Sequence, residues 1–116
     1  MNEQQRKRFI KAACYEIDKE EKEVISCIRI FQKYALRDIR DGNQRGAAGW
    51  MADAERQVER FREFIKGIRM TLDAIYVYGK VETGLEVHAA YMGALSRILY
   101  VHDPEQLSKA YLHSFM

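Results

Sequence analysis

The chain has 116 residues, 47% of them hydrophobic and 31% charged. That is enough for one domain with its own core, and too apolar for wholesale disorder. Nineteen basic and 17 acidic residues leave a formal net charge of +2, too small to mark nucleic acid or an anionic membrane as the partner, although a local basic patch stays open. No stretch approaches the apolar length of a membrane span, and the first residues, Met1 to Arg8, carry no apolar run of the signal-peptide kind.

One proline and seven glycines leave few helix breakers. The two cysteines, Cys14 and Cys27, form no CxxC pair and read as buried, reduced thiols. A cytoplasmic setting is the expectation.

The first segment, 2–39, carries an apolar row at alternating three- and four-residue steps: Ile10, Cys14, Ile17, then Val24, Ile28, Phe31 and Ala35. Glu21 occupies the one remaining place in the row, inside the polar run from Asp18 to Glu23. Two readings follow. A continuous helix would span roughly 55 Å with a carboxylate in its seam. A broken one would restart at Asp18 as cap, with Glu21 closing a capping box.

Asp41 to Gly46 is the clearest loop, because Gly42 and Asn43 both tolerate the left-handed backbone that ends a helix. Ala47, Ala48 and Gly49 then read as a lead-in to the longest regular element, with Trp50 expected to pack at the loop end. Met51, Ala54, Val58, Phe61, Ile65, Ile68, Leu72 and Ile75 form an unbroken heptad row. This predicts a long central helix at about 50–78. Its first half has a charged outer face. From Met70 to Tyr78 nearly every side is apolar, so that end is expected to be surrounded by protein.

Gly79 to Gly84 reads as a turn. The next helix, about 83–101, is expected to bury Leu85, His88, Met92, Leu95 and Leu99, with Tyr91, Ala94, Ile98 and Val101 widening the face. Asp103, Pro104 and Gln106 form a helix start, and a last helix from Pro104 to about His113 would bury Leu107, Ala110, Tyr111 and Phe115. The fold expectation is thus all-α: a mostly antiparallel bundle of four or five helices in a single domain over 1–116. Antiparallel neighbours would set Glu21 near Arg69 and Met92, and His88 near Asp73 and Ile17.

Residues with chemical potential are few. Glu21, Asp73 and His88 are the buried polar candidates, and each also reads as a core group satisfied by a neighbour. Glu86 and His88 lie two apart, which points their side chains away from each other and does not make a di-iron motif; no metal or cofactor is expected. No Gly-rich loop carries the lysine and hydroxyl of a phosphate cradle, and no serine has a nucleophile's setting, so no catalytic residue is named.

The function expected is therefore non-enzymatic: an adaptor, inhibitor or assembly protein acting through apolar helix faces, with a protein partner or a second copy of itself. Met70, Tyr76, Val77, Tyr78 and Tyr91 are the partner-binding candidates. The alternative is a nucleic-acid or phosphate-ligand module using Arg37, Arg40, Arg45, Arg56 and Arg60 around the first loop. The helical outline is shared by many unrelated small bacterial and phage proteins and singles out no family.

Overall fold

The computed structural model describes residues 3–76 and 81–102. Nearly all of them are helical, in three elements: α1 (Glu3–Arg40), α2 (Gln44–Tyr76) and α3 (Val81–Val101). No strand occurs among them. The fourth helix expected from Pro104 lies outside the described residues, as do Val77 and Tyr78.

α1 is one unbroken helix through 18–23. Three causes keep it whole. Glu and Lys propagate helices well and no Gly or Pro interrupts them. Lys22 pairs with Asp18 one turn back, at 3.0 Å on the outer face. The seam carboxylate of Glu21 finds a partner on α3, so the polar residue does not have to turn outward.

α2 begins earlier than the heptad row alone suggests, at Gln44 rather than about residue 50. Its start is fixed by the preceding turn. Gly42 has φ of 76°, the left-handed conformation open to glycine. The Asn43 amide donates to the Asp38 carbonyl (2.7 Å) and the Gly42 amide to the Ile39 carbonyl (3.1 Å), the two bonds of a Schellman ending. Asn43 then caps α2, its Oδ1 accepting the Gly46 amide at 2.9 Å. With the first turn capped, Ala47 and Ala48 extend the helix at no conformational cost. Trp50 locks the loop end. Its indole Nε1 donates to the Asp38 carboxylate at 3.0 Å, and its ring lies on Phe31 (5.8 Å) and Tyr34 (4.9 Å).

The order is up, down, up. α2 runs back along α1, and α3 runs parallel to α1 at the level of its N-terminal and middle turns. α1 packs against both neighbours, while α2 and α3 touch each other far less. The shape is long, 59 × 23 × 17 Å, with a radius of gyration of 18.1 Å against about 13 Å for a compact domain of this length.

The core is the expected pair of rows on α1 and α2: Ile17, Val24, Ile28 and Ala35 against Ala54, Val58, Phe61 and Ile65, all buried. The row on α3 differs from expectation. Val87, Ala94 and Ile98 are buried, with Tyr91 and Val101 partly so, whereas His88, Met92 and Leu99 face outward. The α3 helix is rotated by about one residue from the phase read in its sequence. Both phases keep three-four spacing, so spacing alone does not choose between them.

Phe61 is fully buried at the centre of this core. Phe61→Ala should cost roughly 3 to 5 kcal/mol, read as a lower urea midpoint. The loop end gives a sharper contrast. A Cβ on Gly46 would fall on the Asn43 side chain and the Asp38 carboxylate, while one on Gly49 meets nothing within 4 Å. Gly46→Ala should therefore destabilise, and Gly49→Ala should stabilise by up to about 1 kcal/mol through helix propensity.

Candidate functional site

Three features stand out from the packed core: a buried ion pair, an outward apolar row on α3, and an open groove between α1 and α2.

Glu21 is the one buried charged residue among the described side chains, 5% exposed. Its Oε1 accepts a bond from Arg97 Nε on α3; the side chain of Arg69, the partner expected from the sequence, lies outside the described residues. The helix order is the expected one; the rotation of α3 by about one residue and a shift along α1 turn Arg97 toward Glu21. The guanidinium is mostly solvated, which lets the pair form without removing both charges from water.

α3 carries more apolar surface than its core row uses. Met92 (48% exposed), Leu99 (41%) and Tyr100 (63%) lie outward, with Leu95 half-buried between them. His88 belongs to this outward side and is exposed; its ring meets Tyr91 edge-on at 6.0 Å. Tyr91 is itself half-buried and lies near Phe61 at 6.2 Å, so it belongs chiefly to the fold. The outward face is also poor in charge, since 86–101 holds only Glu86 and Arg97 besides His88.

The groove, of about 380 Å³, is lined by Phe9, Ala12 and Ala13 of α1 and Phe64, Gly67 and Ile68 of α2, with Glu16 beside them. It is apolar and open.

At the far end of α3, His102 Nε2 bonds the Glu55 carboxylate of α2, and Gln32 of α1 donates to the Val101 carbonyl at 2.8 Å. These two bonds fix the end of α3 against both neighbours. His102 Nδ1 is buried with no partner. With Nε2 held on a carboxylate, the ring is anchored against α2.

The side chains of Met70, Asp73 and Tyr76 lie outside the described residues, together with Val77 and Tyr78. Three of the five arginines are engaged with neighbouring side chains. Arg60 reaches Glu20 (3.1 Å) and Glu23 (3.5 Å) of α1, Arg56 pairs with Asp53, and Arg37 lies over the Tyr34 ring beside Asp38. Arg40 and Arg45 are exposed at the loop, more than two helical turns from Arg56. No group of three His, Cys, Asp or Glu is placed to hold a metal among the described residues. No helix there is long and apolar enough to cross a membrane.

Burial pushes the Cys14 thiol above its ordinary range, and the nearby Glu86 carboxylate adds to the rise. A raised thiol pKa means less thiolate at a given pH.

The outward α3 row was visible in the sequence as a heptad row and was assigned to the core. Arg97 gave no signal, because it lies opposite the row that the sequence places in the core, and its partner is 76 positions away. Comparison with protein-family models, curated proteins and solved structures finds no match for this chain.

Two outcomes test these contacts. Arg97→Leu leaves Glu21 buried without its partner and should cost about 1 to 3 kcal/mol, while Glu21→Leu fills the seam and should cost less, measured as urea midpoints. Glu86→Gln should lower the Cys14 pKa and speed its alkylation at pH 8 relative to the parent chain, followed by mass spectrometry of the Cys14 peptide.

Proposed function

We propose that this chain is a non-enzymatic interaction protein, an adaptor, inhibitor or assembly factor, that works in the cytoplasm by docking an apolar helix face and associates with a second copy of itself. The observation that carries this reading is the second apolar row on α3. Among the described residues α3 has one apolar stripe in the core and, beyond its half-buried edge at Leu95, further large apolar side chains, Met92, Leu99 and Tyr100, turned outward. Exposed large side chains at heptad steps are what a helix presents to another helix. The α1–α2 groove is a second apolar surface of the kind that takes a partner's side chains.

The finer fold reading belongs with this proposal: a bundle of four helices, the fourth starting at Pro104. The nucleic-acid alternative has less behind it, since Arg37, Arg56 and Arg60 are engaged with acidic or aromatic side chains.

Sedimentation of the full chain over a range of concentrations tests the reading. Self-association that is weakened by Met92→Lys and Leu99→Lys, with helicity retained, is the expected result. A monomer at every concentration would overturn the self-association.

A further inference from the structure

The groove between α1 and α2 has the size, the rigidity and the charge of a ligand site. Its volume, about 380 Å³, lies in the range of small-molecule clefts. Its large side chains are held in place: Phe9, Phe64 and Ile68 pack against the core, and the Phe64 ring lies 6.3 Å from that of Phe61. The opening is thus maintained by the fold.

Gly67 keeps it clear. This glycine sits inside α2 without the positive φ that would demand glycine, and a Cβ placed on it meets nothing within 4 Å. It serves neither the backbone nor a close approach of another element, and glycine weakens a helix interior. What it provides is space, across the groove from Ala12 and Ala13.

Glu16 is the charged group of the described lining. It is exposed and forms no ion pair among the described residues, whereas Glu20 and Glu23 hold Arg60, and Glu63 holds Lys66. Phe9, Ala12, Ala13 and Glu16 follow at three- and four-residue steps along one side of α1, and Phe9 to Glu16 is about 10 Å. One turn further in on both helices stand Glu20 and Arg60, joined at 3.1 Å. A helix laid along the groove would run onto that pair. A molecule about 10 Å long ends short of it, at the free carboxylate.

We propose that the groove binds a small amphiphilic cation, an ammonium group on an apolar aryl or alkyl stem, with the cation at Glu16 and the stem reaching toward Phe9. Removal of the stem from water supplies the affinity, and the carboxylate sets the sign of the charge accepted. Neither contribution involves α3, so this inference goes beyond the docking reading and stands apart from it.

The probe is phenylbutylammonium, with its ring and its amine at opposite ends of the chain; phenylbutyrate offers a similar stem and the opposite charge. Each is titrated into the isotope-labelled full chain, and the amide signals of Ala13, Glu16 and Gly67 are followed by NMR. The cation should bind about fivefold more tightly than the anion. Glu16→Gln should remove that preference and leave the weaker apolar binding. Gly67→Leu should abolish binding of both probes, with helicity retained by circular dichroism. Ala12→Phe, which fills the groove from an exposed position of α1, takes its place if that variant loses helicity.

No saturable shift with the cation, equal affinity for both probes, a preference that survives Glu16→Gln, or binding that survives filling of the groove would each overturn the proposal. Shifts at the same amides that grow with the chain's own concentration and not with the probe would overturn it too, and would make a second copy the occupant. Sedimentation keeps the two readings apart. A monomer that binds the cation overturns self-association alone, and a self-associating chain that ignores the cation overturns this site alone.

Discussion

Burial of one continuous row along α1 is the constraint from which the rest of the arrangement follows. Ile17, Val24, Ile28 and Ala35 are each at most 1% exposed, and they are shared between two neighbours rather than given to one. α2 covers one flank of the row and α3 the other, while among the described residues α2 and α3 meet each other less than either meets α1. α1 is thus the spine. Its length decides the elongated shape, because a helix of 38 residues cannot be folded into a compact core without breaking. Its sequence declines to break: the polar run at 18–23 is made of good helix formers, and the one side chain it would have to bury is provided for.

That side chain, Glu21, shows how the spine sets the position of α3. Apolar rows at three-four spacing can slide by a heptad, or turn by one residue, with little change in buried area. A carboxylate in the seam removes that freedom, because it must meet a cation, and Arg97 is the cation α3 offers. The bond fixes both the height of α3 along α1 and its rotation. Only with Arg97 turned toward Glu21 do Val87, Ala94 and Ile98 enter the core and Met92 and Leu99 leave it. A buried or half-buried pair of this kind adds little net stability over an apolar contact, and its contribution here is to register. The His102–Glu55 and Gln32–Val101 bonds repeat the same function at the far end of α3.

These contacts also explain what the residues alone reveal. The rows of α1 and of the first half of α2 are legible because each has one apolar stripe and a charged opposite face, so periodicity determines orientation. The loop at Gly42 and Asn43 is legible because its chemistry is local. The true start of α2 is less so: the cap at Asn43 and the bond from Trp50 to Asp38 outweigh two glycines that taken singly suggest a lead-in. The phase of α3 is not legible, since 85–101 holds two interleaved apolar rows of equal regularity. What selects between them is an ion pair to a residue 76 positions earlier. The same fact hid Arg97 and placed His88 in a core it does not enter. Of the candidate partner residues, only Tyr91 falls among the described side chains, and its neighbours are the rings of Phe61 and His88.

The ambiguity of α3 is itself informative about function. α1 and the described part of α2 carry mostly charge on their outer faces, as with Asp18 and Lys22 or Glu63 and Lys66, with Tyr15 and Ile30 as isolated exposed apolar groups. α3 does the opposite: its outer face keeps methionine, leucine and tyrosine where a soluble three-helix packing would place lysine and glutamate. An apolar row costs nothing in the core, but on the surface it is disfavoured unless something covers it for part of the time. The proposed docking role of α3 rests on this asymmetry. The bond that sets the rotation of α3 thereby also determines which of its apolar rows is buried and which faces outward.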